Sequence, residues 1–167
     1  NTDGGITAID IMPEFIEKLD QKIRELKLED RITTQVGSMD NLPFAENELD
    51  LIIAEGSLYN IGFENGLNYC HRFIKKGGYI AASEASWLTI DRPKEIEDFW
   101  AGNYSGIDSI ANEVDQVQKA GYAPMAHFVL PDSTWENYFS PMPALIPAFL
   151  ERHGNNDIAK EFASYLE

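Results

Sequence analysis

Cysteine is nearly absent from this chain of 167 residues: Cys70 stands alone, so no internal disulfide can form. Positive charge is scarce as well. Thirteen lysines and arginines face 28 aspartates and glutamates, for a net charge of −15. That charge is spread without a long single-sign run, and it repels a phosphate backbone or an anionic lipid surface, which leaves neutral and cationic small molecules as partners. No stretch approaches the roughly twenty apolar residues of a membrane span. No charged-then-apolar leader is seen at the start, and a reducing, cytoplasmic setting is expected. Closely spaced His/Cys sets are lacking, so no metal site is expected, and no Gly-x-Ser-x-Gly elbow points to a serine hydrolase.

What is present is an ordinary globular composition, 44% hydrophobic and 11% aromatic, which argues against disorder and gives one sizeable core. With no repeat, low-complexity tract or linker, a single domain over residues 1–167 is expected. Ile6 to Asp10 is a short β-branched run that ends on a carboxylate, the pattern of a buried parallel strand. Pro13 then opens a helix in which Phe15, Ile16, Leu19, Ile23 and Leu26 recur at three- and four-residue spacing, to about Leu28. Further strands are expected at Ile32 to Val36, Leu49 to Ala54, Tyr79 to Ser83 and Met125 to Leu130. Helices are expected over Phe63 to Phe73, Arg92 to Trp100, Ile107 to Ala120 and Asn156 to Glu167. Ser133-Thr134-Trp135-Glu136 matches a capping box and predicts another helix start, with Pro141, Pro143 and Pro147 breaking up the segment after it. Short apolar strands alternating with helices predict an α/β, doubly wound parallel sheet.

In such sheets ligands bind outside the carboxyl ends of the strands. The residues just after the expected strands are Asp10 with Ile11, Ser38 with Met39 and Asp40, Glu55 with Gly56, and Ser83 with Glu84. Four strands thus deliver polar or acidic groups to one edge. Asp10 stands where a doubly wound domain binds the ribose of an adenosine-containing cofactor, since two carboxylate oxygens match a cis-diol. Ser38 and Met39 suit an adenine, one by hydrogen bonding and one by apolar contact.

These residues resemble the class I S-adenosylmethionine-dependent methyltransferases of the ubiquinone/menaquinone-biosynthesis-like (type 11) family. The likeness runs through Ile6-Thr7-Ala8-Ile9-Asp10-Ile11-Met12-Pro13-Glu14-Phe15, Gly37-Ser38-Met39-Asp40-Asn41-Leu42-Pro43-Phe44, Leu49-Asp50-Leu51-Ile52-Ile53 and Phe73-Ile74-Lys75-Lys76-Gly77-Gly78-Tyr79-Ile80. Residues 54–63 and 83–87 are most similar to a gut-bacterial subgroup. The resemblance implies a Rossmann-like methyltransferase sheet and S-adenosylmethionine as cofactor. It implies that Asp10 holds the ribose hydroxyls, that Ile11 and Met39 flank the adenine, and that Glu55 and Gly56 line the methyl-donor site. Ser38 departs from the family, many members of which carry an acid there to read the adenine amino group.

Two family strands have no counterpart. The first, with its glycine-rich turn, belongs between the strands at Ile6 and Leu49, and Asp3-Gly4-Gly5 is only a loop entering a strand. The last strand is also missing, so an incomplete methyltransferase domain is expected, a piece of a longer protein.

Methyl transfer is an in-line displacement that rests on positioning and desolvation, and a protein base is optional. Candidates to take a proton from a small-molecule acceptor are Glu55, Tyr59, Glu84 and His127, in a cleft closed by Trp87, Trp135 or Tyr138. Each has a plainer reading as a cap, a core residue or packing. Homodimer formation stays open. So do two rival functions: a non-catalytic adenosine-cofactor-binding or scaffold protein of methyltransferase ancestry, and a nicotinamide-dependent oxidoreductase, which shares the acidic ribose residue.

Overall fold

The computed structural model describes residues 3–154 and 156–164. The chain divides into two compact units, Asn1–Pro124 and Met125–Glu167.

In the first unit, β1 (Ile6–Asp10) pairs in parallel with β2 (Ile32–Val36), and α1 (Pro13–Leu26) connects them. Pro13 suits the first turn of α1 because its fixed φ is already helical and it has no N–H to leave unpaired. Ile16 and Ile23, seven residues apart, are the buried members of the apolar stripe. Lys27 ends the helix in the left-handed conformation at φ 55°, which lets the Leu28 N–H reach the Ile23 carbonyl at 3.0 Å. The helix therefore stops two residues before the expected end.

The second pair is β3 (Leu49–Glu55) with β4 (Ile74–Ser83), also parallel. A 3-10 turn, Leu58–Ile61, and α2 (Phe63–His71) make the crossover. Ala54, Leu58, Phe63, Leu67, Cys70 and Ala120 form the buried cluster, with Ile52, Ile80, Val117 and Tyr122 packed against it. β4 begins five residues earlier than expected. Leu49 pairs with Ile74 and Leu51 with Tyr79, so Lys75 to Gly78 bulge opposite Asp50. The bulge turns Lys75 Nζ onto both oxygens of Asp50 at 2.9 Å, and it needs Gly78, where a Cβ would stand 2.8 Å from the Asp50 carbonyl.

A third, minimal parallel pair comes next: β5 (Ser86–Trp87) with β6 (Asp108–Ser109), connected through α3 (Lys94–Asn103) and leading into α4 (Ile110–Lys119). Two-residue strands carry no periodicity, so the sequence does not announce them. Arg92 lies outside α3, its guanidinium 4.4 Å from the centre of the Trp87 ring. Ser109 caps α4 by accepting the Asn112 N–H at 3.3 Å. All three ladders are parallel, as the alternation of strands and helices predicts. Among the described residues no strand joins the three pairs into one sheet, which is the form expected of an α/β methyltransferase sheet lacking strands.

The second unit is helical: α5 (Ser133–Phe139), α6 (Met142–Arg152) and α7 (Asp157–Ser164). Met125 to Leu130 is not a strand. Its alternating apolar residues have β propensity, but a strand exists only with a ladder partner, and none is present among the described residues. A helix does start at Ser133, without the expected capping box: Asp132 is the N-cap residue and no side chain caps the helix. Pro147 lies inside α6 rather than ending it. At α7, Asn156 Oδ1 accepts the Ala159 N–H at 2.8 Å, and Tyr165 to Glu167 of the expected helix lie outside the described residues.

Candidate functional site

The parallel register of β1 and β2 sets Asp10 opposite Val36, and the Gly37 N–H bonds the Asp10 carbonyl at 2.9 Å. The expected adenosine residues are thereby brought to one strand end. Asp10 is half-buried; its Oδ1 accepts the Met12 N–H at 2.8 Å, which folds the carboxylate back over the start of α1. Its Oδ2 makes no hydrogen bond among the described residues and is free to accept two hydroxyls. Ile11 projects beside it, 64% exposed.

Ser38 and Met39 are half-buried at the head of the loop after β2. The Asn41 N–H bonds the Ser38 carbonyl at 3.1 Å, making a turn. The loop is anchored further on. The Leu42 N–H donates to the Tyr69 hydroxyl at 2.9 Å, and the Phe44 ring stands edge-on to Phe73 at 6.5 Å. Through Tyr69 and Phe73 the loop carrying Ser38 and Met39 is fixed to α2 and hence to the second strand pair.

At the other end, Glu55 pairs in register with Ser83, and the Gly56 N–H donates to Ser83 Oγ at 2.8 Å. Gly56 has φ +51°, a left-handed turn that glycine adopts without strain. Glu55 is exposed. Tyr59, on the 3-10 turn, is 45% exposed and meets Tyr104 edge-on with ring centres 5.7 Å apart. His127 belongs to the second unit, exposed in the extended segment that precedes α5.

Sequence reasoning missed the surroundings of Glu84. Glu113, in the first turn of α4, is 8% exposed and accepts the Ser86 hydroxyl on Oε2 at 2.5 Å. Glu113 Oε1 and both oxygens of Glu84 are buried without a hydrogen-bond partner. Burial, with the charge of Glu84 beside it, pushes the Glu113 carboxyl up to about 7. Burial also raises Glu84, against the favourable influence of the Tyr104 hydroxyl. Burial and the same carboxylate raise the Tyr104 phenol. A signal did exist: Ile110, Glu113, Val114 and Val117 form one stripe at helical spacing, and Glu113 is the acid on that apolar face.

The edge as a whole is electronegative. The segments 10–11, 38–40, 55–59 and 83–87 carry Asp10, Asp40, Glu55 and Glu84 and no lysine or arginine. An adenosine ligand with a positive charge fits these residues: an unengaged carboxylate oxygen for the ribose, apolar Ile11 and Met39 for the base, and acids for the cation.

Comparison with known proteins bears on the family and the fold. The family profile described as a methyltransferase domain matches residues 2–82. A ubiquinone/menaquinone biosynthesis C-methyltransferase from a Geobacter species is 30% identical over 96 residues, covering 57% of this chain and 41% of that protein. The chain therefore spans about two fifths of that curated relative. A methyltransferase from Thiobacillus denitrificans, solved in complex with S-adenosyl-L-homocysteine, superposes with a TM-score of 0.81 at 16% identity, covering 98% of this chain and 66% of that one. A [4+2]-cyclase superposes with a TM-score of 0.77 at 17% identity, covering 99% and 60%. At these identities the structural likeness establishes the fold.

Proposed function

We propose that this chain, whose residues 2–82 match the methyltransferase-domain family model, belongs to the class I methyltransferases of the ubiquinone/menaquinone-biosynthesis-like type, and that the whole protein transfers a methyl group from S-adenosylmethionine to a small-molecule acceptor. Both compact units are read as parts of one methyltransferase domain. The observation that carries the reading is the unengaged Asp10 carboxylate oxygen beside Ile11, Ser38 and Met39, at strand ends whose own residues include acids and no lysine or arginine. A dinucleotide would bring a doubly negative pyrophosphate to that edge, whereas a sulfonium is attracted to it.

When bound, the cofactor supplies an electrophilic methyl on a cationic sulfur. The chain's own residues do the rest by placement. Asp10 accepts the ribose hydroxyls, Ile11 and Met39 hold the adenine between apolar surfaces, and Ser38 offers it a hydroxyl. Gly56 lets the backbone approach the methionine part closely, and Glu55 faces its ammonium. Glu55, Tyr59 and Glu84 are the candidates within the first unit to receive the acceptor's proton. The net charge of −15 favours a small molecule over nucleic acid as acceptor, and a cytoplasmic setting suits the cofactor.

The test is formation of S-adenosylhomocysteine by the full-length protein from S-adenosylmethionine and a panel of catechol, a naphthoquinol and primary amines. Acceptor-dependent formation supports the reading. Tight cofactor binding with no turnover on any acceptor supports a non-transferring use of the fold, a reading that the structural likeness to a cyclase favours.

A further inference from the structure

The first unit holds two carboxyl groups that cannot both be ionised cheaply. Glu84 directly follows β4, one residue beyond the Ser83 hydroxyl that accepts from Gly56. Glu113, on α4, stands near enough for the charge of Glu84 to act on it and is held on one side by the Ser86 hydroxyl at 2.5 Å. Three of the four carboxyl oxygens are buried and make no hydrogen bond of ordinary length, the Tyr104 hydroxyl and the Ala85 N–H being the donors nearest to Glu84. A buried acceptor left so is costly, and two buried anions are costlier.

The groups that face the pair do not relieve it. Asp108 on β6 adds a third negative charge, offset by its backbone N–H turned to Glu113. The Tyr104 hydroxyl, after α3, and the Ala85 N–H favour the Glu84 anion, and burial outweighs them. Among the described residues no lysine, arginine or histidine acts on either carboxyl. The pair is also not a metal site, since no group of three or more His, Cys, Asp or Glu among the described residues could hold an ion. The donor these oxygens call for is a proton.

We propose that Glu84 and Glu113 form a proton-sharing carboxyl pair, a general-base site that the positive charge of the bound methyl donor switches on. In the free protein one proton serves both groups, as in other carboxyl dyads where like charges keep one member neutral. Seating a cation at the β3–β4 edge favours the doubly ionised pair, so the shared proton leaves for solvent when the donor binds. Glu84 is then a carboxylate at the moment a base is wanted. The acceptor's bond to the methyl forms as the sulfur–methyl bond breaks with its electron pair on sulfur; the acceptor's proton passes to the Tyr104 hydroxyl as that hydroxyl gives its own proton to the buried Glu84. Tyr104, in edge contact with the exposed Tyr59, lines the way between the pair and the edge.

This inference rests on the methyl-transfer reading for the switching charge, whereas the shared proton does not depend on it. Two measurements on the full-length protein separate them. The first is a carbon-13 NMR titration of the glutamate carboxyls with no cofactor present, assigned with Glu84→Gln and Glu113→Gln. One carboxyl of the pair is expected to remain protonated to about neutral pH, and Glu84→Gln is expected to move the Glu113 midpoint down by half a pH unit or more. Ionisation of both groups well below neutrality, in the wild-type curve alone, overturns the pair even if a variant fails to fold.

The second is calorimetry at pH 7 in buffers of differing ionisation heat. S-adenosylmethionine is expected to release a proton on binding and the uncharged S-adenosylhomocysteine to release at most half as much, with the difference lost in Glu84→Gln. Equal release by the two ligands overturns the switch. Failure of either ligand to bind overturns both the switch and the proposed cofactor, and proton sharing then stands or falls on the titration.

Discussion

Gly56 donates its backbone N–H to the hydroxyl of Ser83 at 2.8 Å, across the carboxyl ends of β3 and β4. The bond is the last rung between these strands, made by a side chain where the ladder has ended. It holds the left-handed Gly56 turn beside Glu55 and Glu84.

Replacing Ser83 with alanine removes that acceptor and leaves the Gly56 N–H to water. Stability is expected to fall by about 1 kcal/mol, read by urea unfolding. Affinity for S-adenosylmethionine is expected to drop severalfold, because Gly56 loses its fixed orientation. An unchanged affinity would mean that Gly56 does not line the cofactor site.

Asp10 uses one oxygen on the Met12 N–H and leaves the other unengaged. Asp10→Asn keeps an acceptor for Met12 and removes the anion, so it separates the two uses. We expect Asp10→Asn to weaken S-adenosylmethionine binding by about 1–3 kcal/mol while stability changes little. Asp10→Ala is expected to lose both affinity and some stability.

Gly66 on α2 lies under the 3-10 turn that carries Tyr59. A Cβ there would meet the side chain of Leu58 at 2.9 Å, and Leu58 is 2% exposed. Gly66→Ala overpacks this contact and is expected to cost about 1–3 kcal/mol, visible as a lower midpoint in chemical denaturation. Lifting Leu58 also moves Tyr59, so the edge contact with Tyr104 should weaken in parallel.

Glu113 makes stability depend on pH in a direction unusual for an acid. Its folded value is raised from 4.5 to about 7, so between those values the folded protein holds a proton that the unfolded chain has released. Stability is expected to fall as pH rises through that window, to be unaffected below it, and to carry a constant penalty above it. Glu113→Gln removes the titrating group and gives Glu84 a donor. The variant is expected to be more stable than wild type at pH 8 by on the order of 1–3 kcal/mol, with little difference at pH 4.

Much of the first unit is legible in the sequence. Ile6 to Asp10, Ile32 to Val36 and Leu49 onward are β-branched runs bounded by polar stops, and each is a strand with a parallel partner. Met125 to Leu130 has the same look and is not a strand, because pairing is a property of two segments and its pattern describes only one. β5 and β6 are hidden for the opposite reason: two residues are too few to show a period, and the strands exist because Ser86 and Asp108 lie in register. The bulge at Lys75 has the composition of a helix end, since cations and glycines serve both purposes. The ends of the two larger strand pairs are placed by topology alone, which is why the position of Asp10, Ser38, Met39, Glu55 and Gly56 at those ends can be read from the sequence. The Glu84–Glu113 pair cannot, because it joins residues 29 positions apart through a fold that no local pattern encodes.

The most direct test of the account is calorimetric titration of S-adenosylmethionine and, separately, NAD into the full-length protein. Saturable binding of S-adenosylmethionine with no heat from NAD is the predicted result, from strand ends whose own residues offer carboxylates and no lysine or arginine. Binding of NAD in preference to S-adenosylmethionine would contradict it, and would assign Asp10 to the ribose of a nicotinamide cofactor.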